Sequence, residues 1–186
     1  MALPQSNDYY TFSDYMSWDS EERYELINGV PYMMATPSRR HQEAVGEIFG
    51  QLREFLKGKP CRPFVSPFGV RLNALGNDDD TVVEPDIVVV CDHSKLDDKG
   101  CNGAPDFIVE VLSPSSGRMD KFIKFQKYQK AGVREYWIVD LESKTVSANT
   151  LENGKYFNTA YAYESIANVH IFEGCQIVLK DVFAET

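Results

Sequence analysis

The sequence predicts an α/β fold in which a mixed β-sheet is flanked by helices and extended by antiparallel edge strands. Three observations carry that expectation. Two nearly unbroken apolar runs, Val82 to Val90 and Phe107 to Leu112, have the composition of strands covered on both faces. Two segments, Ser38 to Lys57 and Met119 to Ala131, are helical by pattern or punctuation; the second lies between strand-like runs, and a strand-helix-strand unit implies a parallel pair. From Thr145 onward, polar and apolar residues alternate around turn dipeptides, as antiparallel strands with one wet face do.

From the N-terminus, Thr11-Phe12-Ser13-Asp14 opens a short helix, with Thr11 as N-cap and the Asp14 carboxylate reaching back in a capping box. Glu25 to Met34 reads as two strands joined by Asn28-Gly29, because both residue types accept the positive φ of a tight hairpin. Between Ser38 and Lys57, Ala44, Val45, Ile48, Phe49, Leu52, Phe55 and Leu56 recur at helical spacing, and Gly58 offers a stop. Strands are expected at Phe64 to Leu72, Val82 to Val90 and Phe107 to Leu112. A helix from Met119 to Ala131, closed by Gly132, then leads into the strand Glu135 to Asp140. Edge strands follow at Thr145 to Leu151, Lys155 to Tyr163, Asn168 to Phe172 and Gln176 to Leu179, with turns at Asn153-Gly154 and Glu173-Gly174. Asp78-Asp79-Asp80 is read as a solvated hairpin turn, since it lacks the alternating ligands and terminal Glu of an EF hand. Asp106 and Asp140 are read as turn formers or caps.

With 186 residues and 43% hydrophobic content, the chain is expected to form one domain around a sizeable core. No apolar run approaches the roughly 20 residues that cross a bilayer, so no membrane association is expected. The first residues lack a basic and then apolar signal pattern, which points to a cytoplasmic location. Cys61, Cys91, Cys101 and Cys175 form no C-x-x-C pair and have no histidines at zinc-ligand spacing, so they are read as reduced thiols. A net charge of −9 opposes simple electrostatic binding of a polyanion. Two local exceptions run through Arg118, Lys121, Lys124, Lys127 and Lys130, and through Arg39, Arg40, Arg53, Lys57, Lys59 and Arg62. They fit either solvated helix faces or a basic rim around a site. The absence of a phosphate-cradling glycine motif, an HExxH pair and a G-x-S-x-G elbow excludes ATPases, zincins and α/β-hydrolases.

The most informative residues are two carboxylates inside the apolar runs, Asp86 and Glu110. Burying an ionised carboxylate costs several kcal/mol unless a cation or dense hydrogen bonding compensates. The bland account is a structural ion pair, or a strand edge that leaves the acid wet. The functional account is a site for metal-assisted hydrolysis whose cation partner comes from the lysine-bearing helix beyond. At 100° per residue, Asp120, Lys124 and Tyr128 share a polar stripe, while Met119, Phe122, Ile123 and Gln126 lie nearly opposite and can face a core. Lys124 could equally form an i,i+4 surface pair with Asp120. His41 lies on the apolar stripe of its helix, as a hydrogen-bonded half-buried side chain or as a contact to substrate phosphate. Tyr128 and Trp137 are read as core aromatics.

Pro85-Asp86 followed by Glu110 on an apolar strand resembles the acidic half of the PD-(D/E)XK nuclease superfamily. Within it, the chain resembles the Uma-type family of restriction-endonuclease-like proteins. The resemblance rests on Tyr24-Glu25-Leu26-Ile27-Asn28-Gly29, His41-Gln42, Glu84-Pro85-Asp86, Ala104-Pro105-Asp106, Glu110 to Ser115, Asp120 with Lys124 and Tyr128, and most specifically Gly132 to Asp140. It implies a restriction-endonuclease-like core and a Mg²⁺- or Mn²⁺-dependent endonuclease that hydrolyses DNA with metal-activated water. Asp86, Glu110 and the backbone carbonyl of Val111 would be the metal ligands. Where the superfamily has a lysine two residues after the second acid, this chain has Leu112, and the resemblance implies that Lys124 replaces it. Glu25 resembles an additional acid brought from the N-terminal side, the alternative being a solvated hairpin residue. Double-strand cleavage calls for two active sites, so a homodimer is expected. The competing readings are a catalytically degenerate nuclease fold acting as a DNA-binding or protein-interaction module, and a phosphohydrolase acting on small nucleotides.

Overall fold

A computed structural model describes residues 9–72, 80–113 and 119–184, with all their side chains except those of Met119 and Asp120. Helix α1 (Phe12–Tyr15) starts on the expected capping box: the Asp14 amide donates to Thr11 Oγ1, and the Thr11 amide donates to Asp14 Oδ2 at 2.8 Å. Strands β1 (Tyr24–Ile27) and β2 (Val30–Met33) form the expected hairpin, with Asn28 at φ 51° and Gly29 at φ 72°. Helix α2 (Arg39–Leu56) is capped by Ser38, whose hydroxyl accepts from the His41 amide at 3.2 Å.

The next two apolar runs do not form single strands. The first divides into β3 (Arg62–Val65) and β4 (Val70–Arg71), and the second into β5 (Val82–Val83) and β6 (Ile87–Val90). Pro67 and Pro85 interrupt them because proline offers no N–H to a ladder, and each run crosses from one sheet to another at that point. Asp86 therefore lies at a crossover just before β6, not within a strand. Sequence patterning also missed a 3₁₀ turn at His93–Lys95 and the short strands β7 (Leu96–Asp97) and β8 (Gly100–Asn102).

Strand β9 (Phe107–Val111) is followed by a π-helical segment, Met119–Lys124, that runs into α3 (Phe125–Ala131) and stops at Gly132, φ 90°. Strands β10 (Glu135–Asp140), β11 (Thr145–Glu152) and β12 (Lys155–Ala162) come next, then β13 (Ile166–Asn168), β14 (Gln176–Val178) and α4 (Leu179–Val182). The predicted strand at Asn168 to Phe172 is reduced to its first residue; the Val169 to Cys175 segment instead closes on itself through backbone bonds.

The described strands form two six-stranded sheets and a hairpin. The central sheet has the order β12-β11-β10-β9-β6-β3, with β9 and β10 parallel as expected and the other neighbours antiparallel. The second has the order β2-β1-β5-β4-β8-β7. Alternation along the central strands divides the core in two. Val89, Val109 and Trp137 pack with Ile48 and Leu52 of α2, while Val88, Ile108 and Tyr136 pack with Val70 and Val83 of the second sheet and Tyr128 of α3.

The structure corrects two further expectations. Cys61 and Cys91 form a disulfide of S–S 2.07 Å, while Cys101 and Cys175 are free and buried. The β3–β6 register pairs Arg62 with Val90, which brings the flanking cysteines face to face across 30 residues of sequence. On the third helix the apolar stripe faces out: Phe122 is 64% exposed, whereas Lys124 is 4% exposed. Asp140 caps a turn as expected, accepting from the amides of Glu142 and Ser143. Asp106 does more than shape a turn, because it accepts from the Cys91 amide at 2.8 Å and from Arg134 at 3.0 Å. Asp78 and Asp79 lie outside the described residues, while Asp80 accepts from the Tyr9 hydroxyl. Among the described residues, no helix is long and apolar enough to cross a membrane.

Candidate active site

Each layer of the fold delivers a side chain to the carboxyl end of β9, where that strand meets the amino end of its antiparallel neighbour β6. Glu110 is 4% exposed and lies on the face of β9 turned toward α3 and the second sheet. Lys124 reaches it from the end of the π-helical segment, Nζ to Oε1 2.9 Å, and the Tyr128 hydroxyl donates to the same oxygen at 2.8 Å. Glu25 enters from β1, 5% exposed, with its Oε1 also 2.9 Å from Lys124 Nζ. A second donor, the Glu84 amide, holds that oxygen at 2.9 Å.

This cluster explains why the third helix turned its apolar stripe outward. Leaving Phe122 and Ile123 in water forfeits about 1.5–3 kcal/mol each, whereas two buried carboxylates without a cation cost several kcal/mol each. The electrostatic demand outweighs the apolar pattern, and Lys124 and Tyr128, four residues apart and so on one helical face, both turn inward to Glu110. Burial and the neighbouring carboxylates push the Tyr128 phenol well above its usual pKa, so it stays a proton donor to Glu110.

Asp86 adjoins this cluster through the backbone of β9: the Val111 amide donates to its Oδ2 at 2.8 Å. From the other face of the sheet, His41 of α2 places Nε2 3.0 Å from the Val111 carbonyl and 3.2 Å from Asp86 Oδ2. The outer wall is Glu84, which accepts from the Tyr15 hydroxyl at 3.1 Å and pairs with Arg23. Burial, with Glu84 second, raises the Tyr15 phenol above its ordinary range. All these acids line one cleft of about 660 Å³ together with His41 and Lys124. Formally, the five acids lining the cleft, Glu25, Glu84, Asp86, Glu110 and Glu142, outnumber Arg23, Arg40 and Lys124, so the cleft suits an added cation.

The structure thus gathers Glu25, His41, Asp86, Glu110, Val111 and Lys124, all six residues singled out from sequence. Among the described residues, no group of three or more His, Cys, Asp or Glu side chains is placed to hold a metal ion by itself. A cation here would need the Val111 carbonyl and solvent beside side-chain donors, which fits a hard ion that keeps several waters. Asp86 and Val111 are adjacent and supply such oxygens, whereas Glu110 Oε1 is engaged by Lys124 and Tyr128. Sequence reasoning missed Tyr128 as a polar member of the site and missed the Glu84, Arg23 and Tyr15 wall. The i,i+4 spacing of Lys124 and Tyr128 was a usable signal for the first, and the acid two residues before Asp86 in Val83-Glu84-Pro85-Asp86 for Glu84. Nothing in the sequence marked Tyr15.

A family profile described as Uma2: Putative restriction endonuclease matches residues 12–180 of this chain. Among solved structures, the chain is similar to the crystal structure of a putative nuclease belonging to DUF820 from Anabaena variabilis. The two share 18% identity and a TM-score of 0.75, over 94% of this chain and 97% of that one. At that identity the likeness establishes a shared fold. No curated protein matches the chain significantly.

Proposed function

The chain belongs to the Uma2 family of putative restriction endonucleases, and from that membership we propose that it is a Mg²⁺- or Mn²⁺-dependent endonuclease hydrolysing DNA phosphodiester bonds. The observation that carries this reading is the buried lysine: Lys124 Nζ lies 2.9 Å from both Glu110 and Glu25, beside Asp86 in the same cleft. That position supplies the cation that Leu112 cannot.

Asp86, Glu110 and the Val111 carbonyl would hold the metal. When bound, a divalent ion supplies Lewis-acid activation of water and neutralises charge on the phosphoryl oxygens. Lys124 presents a fixed positive charge to the attacking water or to the phosphoryl group as its charge grows, and its two carboxylate partners keep it from swinging away. Tyr128 fixes the Glu110 carboxylate by donating to Oε1, and Glu25 fixes the lysine from the opposite side. Arg40 on the cleft wall and the lysines beside the third helix offset part of the acidic charge that repels a DNA backbone. Cutting both strands would pair two copies of the site in a homodimer.

Nicking of supercoiled plasmid with Mg²⁺ or Mn²⁺ tests the proposal. The wild type should cleave, and Asp86→Ala, Glu110→Ala and Lys124→Ala should each lose on the order of 10²-fold or more in rate. No cleavage with any divalent ion, across supercoiled, linear and single-stranded DNA, would instead favour a binding module.

A further inference from the structure

We propose that His41 is itself a metal ligand, bonding the divalent ion directly through Nε2 beside Asp86 Oδ2 and the Val111 carbonyl, so that the site favours Mn²⁺ over Mg²⁺. The inference rests on the metal-dependent reading above and deepens it.

The geometry points there first. Nε2 is 3.0 Å from the Val111 oxygen and 3.2 Å from Asp86 Oδ2. Adjacent donors in an octahedral shell, each about 2.1 Å from the ion, stand about 3 Å apart. The three atoms thus already have, along both edges that meet at Nε2, the spacing of neighbouring ligands. Both oxygens are acceptors, so the ring nitrogen between them carries a proton in this state. An ion would take the place of that proton, which moves to Nδ1 and leaves the imidazole neutral.

Placement supports the same assignment. His41 is 7% exposed and sits in the first turn of the 18-residue α2, positioned by the Ser38 cap. A buried side chain on a rigid helix presents its donor with little loss of rotamer freedom. The oxygen donors alone are few, since Glu110 Oε1 already takes Lys124 and Tyr128. A nitrogen donor beside Asp86, Glu110 and the Val111 carbonyl completes a set of three side chains and one carbonyl, leaving the other positions to water and phosphate oxygens. Mg²⁺ binds oxygen and holds its waters tightly, whereas imidazole suits first-row transition ions, so a nitrogen in the shell shifts selectivity toward Mn²⁺.

Pulsed electron paramagnetic resonance on the Mn²⁺-loaded protein, prepared with natural and ¹⁵N-labelled histidine, reads the bond directly. A coupling from directly bound imidazole nitrogen is expected, changing with the label, persisting in a His93→Gln, His170→Gln double variant and vanishing in His41→Gln. Calorimetric titration should show His41→Gln weakening Mn²⁺ about 10–100-fold while Mg²⁺ changes much less. Bound Mn²⁺ without nitrogen coupling, no Mn²⁺ binding at all, or an equal loss of both ions would overturn the assignment. Should His41→Gln fail to fold, the labelled wild type and the double variant still decide. Nitrogen-coupled Mn²⁺ without DNA cleavage would sink the nuclease reading alone, and cleavage without coupling would sink this inference alone.

Discussion

Lys124 is buried between two carboxylates, and its removal should be felt as much in stability as in chemistry. Lys124→Met keeps the length of the stem and deletes the charge. Glu25 and Glu110 then face each other with less compensation, and urea unfolding should show a loss of about 3–5 kcal/mol. Adding Glu25→Gln to that variant should recover part of the loss, because the two substitutions share one interaction. Glu135 offers a contrasting case, a fully buried acid remote from the cleft. Its Oε1 accepts from Trp137 Nε1 at 2.6 Å and its Oε2 from the Ile171 amide at 2.9 Å. Burial nevertheless dominates and raises its pKa above the usual 4.5. The folded value thus exceeds the unfolded one, so the group penalises folding as pH rises through that interval and imposes no penalty below it. As pH rises from below the usual carboxylate range through the raised folded value, unfolding free energies should shift in favour of Glu135→Gln relative to wild type. A constant difference would show that Glu135 binds no extra proton when folded. At this scale the sequence was readable where a residue broke a pattern, as Asp86 and Glu110 did in apolar runs. Glu25 and Tyr128 broke no such pattern, because a hairpin acid and a helical tyrosine are ordinary: the family resemblance alone pointed to Glu25, the i,i+4 spacing to Lys124 was the one signal for Tyr128, and the fold decides what each touches.

Local signals made the first four elements readable: the Thr11 to Asp14 box, the Asn28-Gly29 turn, and the apolar spacing from Ala44 to Leu56 with its stop at Gly58 each act over a short stretch of chain. The third helix was misread for a long-range reason. Its inward face is chosen by Glu110 on β9 and Glu25 on β1, whose placement no helical wheel contains. The β4–β8 contact was invisible for a similar reason. Gly100 adopts φ 129°, and a Cβ there would lie 2.0 Å from the Gly69 carbonyl oxygen, a backbone atom that cannot step aside. The Cys101 amide donates to that same oxygen at 2.9 Å, so the two backbones are locked at close range. Gly100→Ala should therefore cost about 3 kcal/mol by thermal or chemical unfolding, combining overpacking with a backbone conformation that alanine resists. Gly154→Ala, whose Cβ would meet nothing within 4 Å, isolates the backbone cost and should be the milder change.

Over the whole molecule, the fold class and the parallel β9–β10 pair followed from patterning, but the division into two sheets did not. Whether an apolar run continues in one sheet or crosses to another is decided by tertiary pairing, and Pro67 and Pro85 mark the crossings only in hindsight. The same pairing explains the error over the cysteines. Spacing along the chain says nothing about Cys61 and Cys91, whereas the β3–β6 register makes them neighbours. Their bond closes a loop of 30 residues that contains β4, β5 and the Asp86 crossover. By loop-closure entropy, such a cross-link destabilises the unfolded chain by about 3–4 kcal/mol. Reductant should lower the unfolding free energy by that amount, and a Cys61→Ser, Cys91→Ser double variant should match the reduced wild type and ignore the reductant. The four backbone pairs from Arg62↔Val90 to Val65↔Ile87 hold β3 against β6 without the sulfur bond. Metal affinity should consequently survive reduction, since Asp86 is fixed by the Val111 amide. A loss of metal binding in step with reduction would mean instead that the disulfide, and not the sheet, positions the acid.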